Sequence, residues 1–265
     1  MNNVQGAHVP DYAAIGFDQI DEDLRFLIDC FKEVLDDLGH ADLAAHLPWR
    51  DSEVPAAHAA GLPPQLGLVY AVAFQLLNMV EENVAGSMRH LREEHEGLTA
   101  ERGLWGSQLA RLKKQGFSEQ QIAAAMQNVR VEPVLTAHPT EAKRLAVLDQ
   151  HRALFALLDE RARQKATPSE AISQRLRTKA TLERLWRTGE ILLEKPSLTD
   201  ERRNVLHYLR EVFPRVLPRL NERLLLAWMD AGFDPAALPA PEFLPRVRFG
   251  TWVGGDRDGP PGVSA

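Results

Sequence analysis

The stretch VEPVLTAHPTEAKR, Val131 to Arg144, sets a histidine between an apolar run and a proline. A residue before proline is driven out of helical geometry into extended backbone, so His138 is expected at the end of a strand rather than inside a helix. A second run, RVRFGTWV from Arg246 to Val253, carries Val247, Phe249 and Trp252 between Pro245 and Gly254 and reads as a strand by the same signals. These segments, near 131–137 and 246–253, hold the clear strand signal of the sequence. Two isolated strands make no stable sheet by themselves. Either they pair with each other, or they belong with strands outside this chain.

Around them the pattern is helical. From Ile20 onward, Leu24, Leu27, Phe31, Val34 and Leu38 recur at alternating three- and four-residue steps among acids and lysine, which predicts an amphipathic helix ending near Gly39. The prolines and glycines of residues 41–64 read as short helix and loop. A longer helix is expected from Gln65 through VYAVAFQLLNMV into SMRHLREEHEG. Another is expected across SEQQIAAAMQNV, where Ser118 and Gln121 fit a capping box. ATLERLWRTGEILLE and ERRNVLHYLREVF are helix-forming as well. Residues 141–187 are rich in Lys and Arg with acids interspersed, and most of these charges are expected on a solvated helix face.

The bulk properties narrow the function. With 265 residues and 45% apolar side chains, the chain can build a real core. A formal charge of −6 gives no global electrostatic reason to bind nucleic acid, and none is expected as a partner. The single cysteine, Cys30, excludes an internal disulfide framework and a multi-cysteine zinc site, and is expected as a helix-buried thiol. No apolar run approaches a membrane span and the first residues lack the pattern of a signal peptide, so a cytoplasmic location without a membrane partner is expected.

Chemistry-bearing residues gather at AHPTEAKR, LWRTGEI and GTWVGGDRDGPPG. Gly254 and Gly255 permit close approach of backbone to a ligand, and Arg257 can grip a phosphate or carboxylate bidentately. Equally, Arg257 can be tied to Asp256 and Asp258 in a tight turn; both readings stand. DRDG is not an EF-hand loop, which needs its glycine at the sixth position and a glutamate at the twelfth. Nor is AHPT a phosphotransfer histidine on a bundle helix, because Pro139 would break that helix.

VLTAHPTE followed by Arg144, then LW-x-T-x-E-I with KPS and DE downstream, then F-G-x-W-x-GGDRDG, resemble in order and separation the N-terminal portion of the phosphoenolpyruvate carboxylase family. The likeness runs from about Asp18 to the last residue. It implies a mainly α fold, with long helices and the first strands of an incomplete (β/α)8-type barrel. Residues 1–130 would be an N-terminal helical region and residues 131–265 the start of the barrel, whose active residues lie at the C-terminal ends of the strands. It implies a reaction joining bicarbonate to phosphoenolpyruvate to give oxaloacetate and phosphate, with Mg²⁺ or Mn²⁺ held by ligands outside this chain. By the resemblance, His138 would stabilise carboxyphosphate and assist its decarboxylation as a base, suited by an ordinary pKa near neutrality. Arg257, Trp252 and Arg144 would serve substrate binding, Arg257 through its charge and Trp252 as a wall against water.

The chain departs from the family pattern in places. Leu145 replaces a second arginine after the histidine motif, TDEIR becomes Thr188 to Leu192, and Pro260 stands where the family has asparagine. By the resemblance, leucine in place of arginine at Leu145 and Leu192 removes charge from the family's sugar-phosphate effector site and implies no response to glucose 6-phosphate. Family chains are several-fold longer, so the polypeptide is expected to be truncated after residue 265 and inactive alone, the full-length enzyme being a homotetramer. The alternative is a non-catalytic helical scaffold or regulatory protein derived from the family; a third reading is an anion-binding module using Arg144 and Arg257.

Overall fold

The structure is a computed structural model that describes residues 10–49, 65–136, 145–163, 166–189, 198–238 and 245–253. It is mainly helical. The helices are α1 (Tyr12–Asp37), α2 (Ala41–Ala44), α3 (Leu66–Glu96), α4 (Trp105–Lys114), α5 (Glu119–Met126), α6 (Leu145–Arg163), α7 (Pro168–Thr188), α8 (Leu198–His207) and α9 (Phe213–Asp230). Among the described residues four short strands accompany them: β1 (Arg130–Val131), β2 (Val134–Leu135), β3 (Arg246–Val247) and β4 (Gly250–Thr251). The chain divides into two compact units. One holds α1, α2, most of α3, α6 and α7; the other holds the end of α3, α4, α5, the strands, α8 and α9. Among the described residues no helix is long and apolar enough to cross a membrane.

In the first unit α1 starts a full two turns before the expected Ile20. The Asp11 carboxylate caps it by accepting the backbone N–H groups of Ala13 and Ala14 at 3.1 Å each. It stops, as expected, at Gly39, whose φ of 81° suits glycine. The stripe Leu24, Leu27, Ile28, Phe31, Val34 and Leu35 is buried, and Phe31 meets Trp186 of α7 edge to face at 5.8 Å. Cys30 is fully buried, and burial pushes its thiol up to about 11. α7 opens with a Thr167–Glu170 capping box and Pro168 at its first turn. α7 ends at Thr188, capped by Gly189, where φ is 76° and the N–H donates to the Leu185 carbonyl at 3.1 Å. Glu190 to Glu194 lie outside the described residues.

Arg161, Arg175 and Lys179, from the 141–187 region, do more than face water. Arg161 donates to Asp23 at 3.0 Å and to Glu22 at 2.7 Å, while Arg175 and Lys179 both bind Glu33, and Lys179 also reaches Asp37 at 2.9 Å. These pairs tie α6 and α7 to α1. The hydrogen bonds from Arg175 and Lys179 hold the Glu33 carboxyl below its ordinary range. At Asp23 burial wins over the Arg161 hydrogen bond and raises the carboxyl instead.

The second unit packs Leu109 of α4, Ile122, Ala123 and Met126 of α5, and Leu224, Ala227 and Trp228 of α9 around Phe233. The Ser118–Gln121 capping box is present as expected. Gly106 is required by its neighbour, since a Cβ there would stand 2.0 Å from the Leu98 carbonyl oxygen. Between α8 and α9 the chain makes a π turn over Tyr208–Val212. Pro214 explains it: proline lacks an N–H and its ring collides with the carbonyl four residues back, and a wider turn relieves both problems.

The strands pair in parallel. Arg130 faces Arg246 and Val131 faces Val247; Val134 faces Gly250 and Leu135 faces Thr251. The offset is the same throughout, so the four pieces form one ribbon with an interruption. Four N–H groups of the second strand, from Arg246, Arg248, Gly250 and Trp252, donate to the carbonyls of Val129, Val131, Pro133 and Leu135 at 2.9–3.1 Å. The missing rung is the return bond to the Arg248 carbonyl, which needs an N–H from residue 133, a proline. The two strand segments pair with each other.

Candidate functional site at the carboxyl end of the ribbon

Alternation along the strands gives the ribbon two faces. On one, Val247 and Phe249 are half-buried toward α9, and the Phe249 ring stacks on Phe213 at 4.0 Å with 16° between planes. A groove of about 440 Å³ lies here, lined by Trp105, Val131, Phe213, Leu217, Val247 and Phe249 among others. The other face presents Arg130, Glu132, Val134, Arg246, Arg248 and Trp252, all exposed. Gly250 lies opposite Val134, and a Cβ on it would come within 3.3 Å of a Val134 methyl, so the strands meet closely at that level.

At the carboxyl end the last rung is the Trp252 N–H donating to the Leu135 carbonyl at 3.1 Å, and the Val253 N–H donates to the Thr251 hydroxyl at 3.1 Å. Because the strands are parallel, the chain leaves this end twice in the same direction: once from Leu135 toward the AHPTEAKR motif, once from Trp252 toward GGDRDG. In sheets of parallel strands, the carboxyl ends are where ligands are bound and catalytic groups displayed. The Trp252 side chain stands there 59% exposed. His138, Arg144 and Arg257 lie outside the described residues.

The sequence reading did not find the Phe213–Phe249 stack that seats the second strand on α9. It also passed over the register that sets Arg130 against Arg246. The signal for the second was present, since RVRFGTWV alternates polar and apolar residues and so puts Arg246 and Arg248 on one face. Among the described residues no group of three or more His, Cys, Asp or Glu side chains is arranged to hold a metal ion.

Residues 65–265 match the family model described as phosphoenolpyruvate carboxylase. The chain is 35% identical over 201 residues to a phosphoenolpyruvate carboxylase of Methylorubrum extorquens, covering 74% of this chain and 21% of the relative. It is 33% identical over 243 residues to a phosphoenolpyruvate carboxylase of Xanthomonas euvesicatoria pv. vesicatoria, covering 88% of this chain and 26% of the relative. A third, from Xanthomonas campestris pv. campestris, is 38% identical over 157 residues, covering 59% and 17%. The chain thus spans about a quarter or less of the length of the curated relatives it matches.

Proposed function

The chain belongs to the phosphoenolpyruvate carboxylase family, and on that premise we infer that it supplies the N-terminal part of an enzyme forming oxaloacetate and phosphate from phosphoenolpyruvate and bicarbonate. The observation that supports this most is the parallel register. It starts the His138 and Arg257 motifs from adjacent points at one end of the ribbon, the Leu135–Trp252 rung. In this reading residues 131–265 begin a (β/α)8-type barrel, residues 1–130 form the helical region before it, and Mg²⁺ or Mn²⁺ is held by residues outside this chain. A homotetramer in the cytoplasm completes the picture.

The proposed chemistry assigns each group a task. A bicarbonate oxygen attacks the phosphorus of phosphoenolpyruvate, and the bond from phosphorus to the enol oxygen breaks, leaving carboxyphosphate and the enolate of pyruvate. His138 takes the carboxyl proton of carboxyphosphate and passes it to the phosphate oxygen that departs as carboxyphosphate divides into carbon dioxide and phosphate. The enolate carbon bonds to the carbon dioxide and gives oxaloacetate. Arg257, with Arg144, offsets the charge of the anionic substrates, and Trp252 shields the enolate from water, which would otherwise protonate it to pyruvate. With Leu145 in place of an arginine, glucose 6-phosphate does not activate the enzyme.

The test is bicarbonate labelled with ¹⁸O, supplied to the complete polypeptide with phosphoenolpyruvate and Mg²⁺. One label appears in the phosphate and the rest in oxaloacetate. Phosphate without label, or phosphoenolpyruvate consumed without oxaloacetate, contradicts the reading.

A further inference from the structure

On the face turned toward α9 the second strand runs Val247, Phe249, Thr251, each two residues from the last. The first two are half-buried apolar side chains, while Thr251 is exposed and carries a hydroxyl. The row therefore changes chemistry at its carboxyl end, one residue before Trp252. The hydroxyl has a definite task there. N–H groups alternate in direction along a strand: those of Arg246, Arg248, Gly250 and Trp252 reach the first strand, so that of Val253 points to the opposite edge. It donates to the Thr251 hydroxyl at 3.1 Å, and the backbone turns at Val253. A threonine that takes up the N–H two residues on replaces a ladder bond by a local one and ends the strand. Its branched Cβ restricts χ1, so the hydroxyl is held where it acts.

We propose that Thr251 is a positioning residue for the carboxylation, holding the Val253 N–H so that Trp252 is presented at a fixed angle and the GGDRDG motif leaves the ribbon in a fixed direction. The proposal rests on the functional reading above. Two features of the chain call for such a residue. Gly254 and Gly255 follow directly, and glycine imposes no direction on a backbone, so the direction is set before them. Trp252 stands 59% exposed, and among the described residues no aromatic ring stacks on it, whereas Phe249 is seated on Phe213. Its placement therefore depends on its backbone. The two peptide units that flank its Cα are each pinned, one by the rung to the Leu135 carbonyl and the other by the Thr251 hydroxyl. Loss of the hydroxyl frees the second unit, and the Trp252 ring no longer keeps water from the enolate. Water then gives a proton to the enolate carbon, forming pyruvate, and the hydroxide left behind adds to the released carbon dioxide as bicarbonate.

The experiment uses the complete polypeptide as wild type, Thr251→Val and Thr251→Ser, with phosphoenolpyruvate, bicarbonate and Mg²⁺. Valine keeps the branching and volume of threonine without the acceptor; serine keeps the acceptor. Oxaloacetate is reduced to malate as it forms, because free oxaloacetate loses carbon dioxide to give pyruvate, and pyruvate is measured beside it. Amide hydrogen exchange at Val253 is followed by mass spectrometry on the same proteins. The expected result is a ratio of pyruvate to oxaloacetate about fivefold or more higher in Thr251→Val, the factor that one hydrogen bond is worth. Thr251→Ser stays within about twofold of the wild type. Exchange at Val253 is faster in Thr251→Val alone. A Thr251→Val enzyme with the wild-type ratio overturns the proposal even if its rate or melting temperature falls, since loss of a merely structural threonine would do that. So does wild-type exchange at Val253 in that variant, and so does a Thr251→Ser enzyme that behaves as the valine variant does. A wild type that forms no oxaloacetate overturns the functional reading and this proposal with it; a wild type that forms it, beside a Thr251→Val enzyme of unchanged ratio, overturns this proposal alone.

Discussion

The helices α1, α6 and α7 and the parallel ribbon solve their electrostatics in opposite ways. In the helices Arg161, Arg175 and Lys179 each find carboxylates on α1, and the apolar stripe beneath them from Leu27 to Leu35 is closed to solvent. On the ribbon Arg130, Arg246 and Arg248 have no such partners among the described residues, and Val131, Val134 and Trp252 are 45–59% exposed. The helices therefore hold themselves together, while the ribbon presents unsatisfied surface. It is also from the ribbon that both chemistry-bearing motifs depart.

The contrast can be broken first by core truncation. Leu27→Ala, at a side chain 1% exposed, is expected to cost about 3–4 kcal/mol. Val131→Ala on the ribbon, half exposed, is expected to cost less than about 1 kcal/mol. Urea denaturation of both variants checks this, and equal losses would erase the distinction between the two regions. Next in size is the stack that seats the ribbon: Phe249→Ala removes the ring lying on Phe213 and should cost about 1–3 kcal/mol, with Phe249→Tyr restoring most of it.

The smallest effect is electrostatic. The folded-state pKa of Glu33 lies below its ordinary value of 4.5, so its stabilising contribution is fully present above that value and is lost as the pH falls through the folded value. Glu33→Gln should therefore destabilise at neutral pH and make little difference at strongly acid pH. The size is under about 1 kcal/mol once screening at these part-exposed groups is allowed for. Melting curves of both proteins across the acid range decide it, and a constant gap at all pH values would remove Glu33 from the account.

What the sequence made legible was local. Ser118 and Gln121 announce their own cap, Gly39 its own helix end, and the apolar steps of α1 bury Cys30 as expected. Both strands were readable from β-branched and aromatic residues between breakers. The limits fell at long range and at single-residue punctuation. Arg161 meets Glu22 across a separation of 139 residues, and no local pattern distinguishes that pairing from a solvated charge. Pairing of residues near 130 with residues near 246 is equally remote in sequence, so its parallel sense and its register came only with the fold. Gly189 was passed over inside a helix-forming run because the residues after it also favour helix, and a positive φ at one glycine decides the matter. Of the site, Trp252 stands at the ribbon end, and the motifs of His138, Arg144 and Arg257 are known here by sequence alone.

The measurement that bears most directly on the central claim is oxaloacetate formation by the complete polypeptide with His138→Asn, beside the wild type and with melting temperature as a control. If His138 acts at the carboxyl end of the ribbon, the variant keeps its stability and loses about 10²–10⁴-fold in rate. Activity within about twofold of the wild type would contradict the claim, and the chemistry would have to be sought elsewhere in the protein.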